Sequence, residues 1–141
     1  MEDDQNEIID RQIELTLIPA PTNHEQKKAA RLLEMFKEEG LTDCHIDEYG
    51  NCVGIRKGTG GGKKVLVEGH MDTVFPLDTK LEIVREDGFI KCPGIVDDTR
   101  GCATVLSTIR ALNAAGIETK GDIQFVGTVQ EEGTGALKGM Q

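Results

Sequence analysis

Apolar residues return every four positions at Ile9, Ile13 and Leu17, which predicts an amphipathic helix over 7–18 that Pro19 and Pro21 terminate. Thr22 stands three residues before Glu25, the spacing of a capping box, and Ala29, Leu32, Leu33 and Phe36 then form the i, i+3, i+4, i+7 face of a second helix. Gly40 is placed to stop it. Beyond that point the period shortens. Two strands are expected over 44–49 and 52–56, split by Gly50-Asn51. The run Val65-Leu66-Val67, closed by Gly69-His70, reads as a strand buried on both faces. A hairpin follows over 82–91 around Asp87-Gly88. A third helix buries Cys102, Val105, Leu106, Ile109 and Leu112, a strand covers 122–129, and a last helix begins near Thr134. Strand, helix, strand, helix after residue 64 implies a βαβ crossover. The expected fold is therefore α/β, a mixed and largely parallel sheet flanked by helices.

Composition narrows the functional classes. A net charge of −9 over 141 residues argues against a nucleic-acid partner, which needs a clustered cationic surface. No apolar run reaches the roughly 20 residues of a membrane span, so no membrane partner is expected. Gly58-Thr59-Gly60-Gly61-Gly62 lacks the layout of a phosphate loop and precedes a strand, so it reads as a flexible turn. Cys44, Cys52, Cys92 and Cys102 show no CxxC rhythm, and the chain opens Glu2-Asp3-Asp4 rather than basic then apolar. Reduced thiols and a cytoplasmic location are expected.

Chemistry concentrates where apolar strands end or helices begin. His70 and Asp72, two apart at a strand end, point the same way. One reading has His70 bind a metal while Asp72 holds its other ring nitrogen; the other leaves both facing solvent in a loop. Asp97-Asp98, just before a helix, are either ligands or ordinary caps. Glu131-Glu132-Gly133 close the strand over 122–129. His24, in the first turn of a helix, is read as exposed or locally bonded. Three such segments, each with a glycine beside it, are hard to ascribe to capping alone. Carboxylates with an imidazole suit zinc, manganese or cobalt, and two such ions a few ångströms apart imply metal-assisted hydrolysis. Strand alternation sends Glu131 and Glu132 to opposite faces unless the chain turns there.

Gly69-His70-Met71-Asp72-Thr73-Val74, Gly94-Ile95-Val96-Asp97-Asp98-Thr99-Arg100-Gly101 and Val129-Gln130-Glu131-Glu132-Gly133 resemble the three N-terminal motifs of the two-zinc exopeptidases and deacylases. That family includes tripeptide aminopeptidase, glutamate carboxypeptidase, acetylornithine deacetylase and succinyl-diaminopimelate desuccinylase. The resemblance implies two zinc ions, with cobalt or manganese as substitutes, and a short peptide or N-acyl amino acid as substrate. It makes His70 a ligand of one ion, Asp97 the bridge, Glu132 a ligand of the second, Glu131 the general base and Asp72 the group that orients His70. It also implies a cis peptide bond at Asp97-Asp98 and a homodimeric full-length form.

By that resemblance, residues 1–141 are the N-terminal portion of a catalytic domain. The lid or dimerisation domain and two later ligands, an acid and a histidine, have no counterpart in them; neither His24 nor His45 matches a motif. Three ligand side chains would then serve two ions, where catalytic zinc normally takes three each. The expectation is little or no hydrolase activity from this chain alone, and uncovered apolar surface that favours association. The competing class is a non-catalytic module or a fragment that needs a partner chain.

Overall fold

The computed structural model describes residues 2–141. Helices α1 (Glu2–Thr16) and α2 (Gln26–Glu38) precede strands β1 (Thr42–Ile46), β2 (Cys52–Arg56) and β3 (Val65–His70). A small hairpin, β4 (Val84–Glu86) and β5 (Phe89–Lys91), leads to α3 (Thr99–Ala114) and then β6 (Ile123–Thr128). The main sheet has the order β1-β2-β6-β3. It is mixed, as expected, but only β3 and β6 pair in parallel, while β1/β2 and β2/β6 are antiparallel. The parallel character thus belongs to the β3-α3-β6 crossover; the β1/β2 pair follows from its short connection, whereas the β2/β6 pair joins segments far apart along the chain.

Helices α2 and α3 cover the sheet face that carries Cys52, Gly54, Gly69 and Gly127, with Leu32, Phe36, Leu106, Ile109 and Phe125 fully buried between them. Helix α2 ends as its glycine predicts: Gly40 takes φ +81, its N–H reaches the Lys37 carbonyl, and Leu41 reaches back to Phe36. One member of its buried face was not foreseen. Lys28 is buried, and burial lowers its ammonium pKa below the usual value.

Four expectations are corrected. Helix α1 spans Glu2–Thr16 and buries Leu15, whereas Leu17 lies past its end and is exposed. Charged pairs flank its apolar packing: Arg110 of α3 meets Glu7 at 2.6 Å, and Arg11 meets Glu39, just past α2, at 2.9 Å. Thr22 does not cap α2; Glu25 occupies that position, without a side-chain cap. Strand β3 is an edge strand, and its first residues, Val65 50 % and Leu66 57 % exposed, are covered on neither face. The helix expected from Thr134 is absent. Two short 3-10 turns, Gly133–Gly135 and Lys138–Met140, stand there, with Ala136 and Leu137 left-handed between them. Asn51 holds that segment, donating to the Gly139 carbonyl at 2.8 Å and accepting from Val129 N–H at 3.0 Å.

The four cysteines are free thiols. No helix of the described residues is long and apolar enough to cross a membrane.

Candidate metal centre

The parallel register assembles the site. Val65 pairs with Ile123 and His70 with Thr128, so β3 and β6 end level and the segments leaving them are neighbours. The ladder runs one step further through Met71 N–H to the Thr128 carbonyl, at 2.8 Å. Gln130, Glu131 and Glu132 are thereby set beside His70 and Asp72. The start of α3 comes to the same edge because two glycines permit it. A Cβ on Gly69 would lie 2.8 Å from the Gly101 carbonyl carbon, and one on Gly101 would strike the Asp98 carboxylate.

Asp98 answers the question its doublet posed. It is the N-cap of α3, accepting the Gly101 N–H at 2.8 Å, and its other oxygen accepts the His70 N–H at 3.0 Å. Capping is therefore right for Asp98. Asp97 is the member left free to face the site, with a side chain 76 % exposed and its carboxylate 3.1 Å from His70 Nε2. The peptide bond between the two is cis.

His70 Nδ1 lies 3.0 Å from the Asp72 carbonyl and 3.4 Å from its carboxylate, which leaves Nε2 pointing to Asp97 and, at 3.8 Å, to Glu131. Burial alone would lower the His70 pKa, but the Asp72 hydrogen bond and the carboxylates of Asp98, Asp72 and Glu131 raise it to about 9. Asp72 is wholly buried. It accepts from the Glu131 and Glu132 N–H groups at 3.1 and 3.0 Å and from the Thr22 hydroxyl at 2.8 Å. Burial would raise it, yet His70 and these donors hold it down at about 2. Glu132 moves the other way, pushed up by burial and then by the Asp97 charge.

Both glutamates reach the site because the strand rule stops at Gln130. That residue is left-handed, φ +57, and Gly133 follows at φ +56, so alternation is broken on both sides of the pair. One donor atom each from His70, Glu131 and Glu132 lies within 4.8 Å of the others. Sequence reading singled out His70, Asp72, Asp97, Glu131 and Glu132, and all five meet here. It missed Thr22, taken for a helix cap, and Glu25, whose carboxylate accepts the Gln130 N–H. No local pattern announces either, since their partners are 50 and 105 residues away. His24 and His45 take no part: His45 Nδ1 pairs with the Asp43 carbonyl in β1.

The site is an open shelf. A hollow of about 610 Å³ runs elsewhere, along α1 and α3 past Ile8, Ser107 and Ala111.

The model of peptidase family M20/M25/M40 matches residues 66–141, more than half of the chain and all three motif segments. The putative [LysW]-lysine/[LysW]-ornithine hydrolase of Thermococcus kodakarensis is 34 % identical over 84 % of this chain and 31 % of its own length. The succinyl-diaminopimelate desuccinylase of Corynebacterium glutamicum is 30 % identical over 87 % of this chain and 33 % of its own. Among solved structures, aminopeptidase PepT from Bacillus cereus superimposes with a TM-score of 0.77 at 26 % identity, covering 90 % of this chain and 37 % of that one. The chain spans about a third of the length of these relatives.

Proposed function

The chain belongs to peptidase family M20/M25/M40, and on that premise we propose that it forms the N-terminal portion of the catalytic domain of a two-metal hydrolase acting on amide bonds of short peptides. The observation that carries the reading is the meeting of His70, Glu131 and Glu132 donors within 4.8 Å, from segments about 60 residues apart, with Asp97 3.1 Å from the same imidazole. One imidazole nitrogen and several carboxylate oxygens, with no thiolate, suit zinc, cobalt or manganese.

His70, through Nε2, would hold one ion and Glu132 the second, with Asp97 available to both. When bound there, such ions would supply Lewis acidity for the scissile carbonyl and for water. Glu131 takes a proton from the attacking water and returns it to the leaving amine nitrogen. Asp72 keeps the His70 ring in orientation through Nδ1 and, by gripping the Glu131 and Glu132 amides, fixes base and ligand relative to that ring. In a longer protein, a homodimer in this reading, a further acid and histidine would join these residues in holding the ions.

The desuccinylase relative favours a second reading, removal of an N-acyl group from an amino acid at the same centre. A panel of di- and tripeptides, N-acetyl and N-succinyl amino acids separates them, assayed with the chain alone and with the protein extended to its relatives' length. Peptide turnover by the extended protein, abolished by chelator, with none from the 141 residues alone, is the expected result. Turnover of N-acyl amino acids only would replace the peptidase reading, and chelator-insensitive turnover would remove the metal from it.

A further inference from the structure

The first turn of α2 contributes a carboxylate that the chemistry above does not use. Glu25 is 3 % exposed, and at the N-cap position of α2 its side chain makes no capping bond. Its Oε1 instead accepts the N–H of Gln130 at 3.1 Å. Gln130 is the residue at φ +57, a conformation in which a non-glycine residue is uncommon. It stands between the end of β6 and the two glutamates of the metal centre, where strand alternation must be broken if both are to face His70.

Three successive amides are therefore held by two buried carboxylates from different elements. Glu25 takes Gln130, and Asp72 takes Glu131 and Glu132. The Asp72 bonds tie the glutamates to the end of β3. Gln130 itself is gripped on both sides, its N–H by Glu25 at the start of α2 and its carbonyl by the Leu137 N–H at 3.1 Å.

We propose that Glu25 is a positioning residue, whose carboxylate sets the left-handed turn at Gln130 and through it aims Glu131 and Glu132 at His70. The proposal rests on the metal-centre reading given above. It assigns the effect to the place of an acceptor oxygen rather than to the charge it carries.

Two substitutions separate place from charge. Glu25→Gln keeps an acceptor oxygen at the same reach and removes the charge; Glu25→Asp keeps the charge and withdraws the oxygen by one methylene. For each, cobalt is titrated into the 141-residue chain, with its dissociation constant and visible spectrum recorded. Thermal stability and hydrogen exchange of the Gln130 amide are followed alongside. Glu25→Gln is expected to stay within about threefold of the parent, whereas Glu25→Asp binds cobalt roughly 10–100-fold more weakly. The Asp variant should also show an altered spectrum and faster Gln130 exchange. Parental affinity and spectrum in Glu25→Asp overturn the proposal, as does a Glu25→Gln variant as weak as Glu25→Asp. If Glu25→Asp does not fold, Gln130 exchange in Glu25→Gln decides: kept protection supports the proposal and lost protection overturns it. Cobalt binding by the parent that survives His70→Ala unchanged overturns the metal-centre reading itself, an outcome distinct from either variant result.

Discussion

Asp72→Ala is expected to lower the unfolding free energy of the metal-free chain by roughly 3–5 kcal/mol, the cost of stripping one partner from a buried charged network. It is also expected to abolish specific divalent-metal binding. The carboxylate is fully buried and serves His70 Nδ1, two backbone amides and the Thr22 hydroxyl at once. An alanine leaves the Glu131 and Glu132 amides without an acceptor, while His70 Nδ1 keeps only the residue-72 carbonyl and the Thr22 hydroxyl only the Glu132 carbonyl at 3.4 Å; each unsatisfied buried group costs about 1–3 kcal/mol. Asp72→Asn keeps an oxygen for one side of the network and loses the charge, so it falls between alanine and the parent. Acid unfolding reports the same carboxylate. Its folded pKa of about 2 lies below the unfolded 3.8, so the unfolded chain binds the proton more readily in between. This contribution, about 2 kcal/mol, is complete above pH 3.8 and disappears as pH falls through about 2. Urea melts of parent and Asp72→Ala across that range test it, and coincident curves would refute the assignment.

The second large effect is on metal affinity as a function of pH. An imidazole ligates a metal only when neutral, and His70 in the metal-free site holds its proton up to about pH 9. Apparent affinity for cobalt should therefore rise about tenfold per pH unit through the neutral range and level off near pH 9, one proton leaving per His70 engaged. Stability of the metal-free chain runs the opposite way. The His70 pKa is raised on folding, so its contribution is complete below its unfolded value of 6.5 and is lost as pH rises through about 9. Calorimetric titration in buffers of different ionisation enthalpy counts the protons. An affinity flat between pH 6 and 8.5 would show that His70 is not the ligand.

How far the sequence reveals this arrangement depends on how local each cause is. Strand β2 is legible because the Gly50-Asn51 turn sets its start, and the buried face of α3 because period 3.6 is written in adjacent residues. His70, Asp97, Glu131 and Glu132 are legible because metal-capable groups beside glycines at element ends have few other reasons to recur. Glu25 and Thr22 are not, since each satisfies a group far along the chain and each also fits a helix start. The apolar stripe misplaced the end of α1 because Leu17 keeps its four-residue period, while the helix stops at Thr16 and buries Leu15 instead. The final segment carries enough apolar residues to suggest a helix, but Gly133, Gly135 and Gly139 weaken it, and the hold of Asn51 on Gly139 selects turns instead. The direction of Glu131 and Glu132 turns on one backbone torsion, at Gln130, that no side-chain pattern encodes.

All of this depends on one imidazole and several carboxylates closing on shared cations. Crystals of the chain grown with zinc, with data collected at the zinc absorption edge, locate those ions directly. The account predicts two anomalous peaks, one about 2.0–2.2 Å from His70 Nε2 and an Asp97 oxygen, the other at the same range from oxygens of Asp97 and Glu132, the first lost in His70→Ala. A peak elsewhere, or none at this shelf while the side chains keep their places, would contradict it.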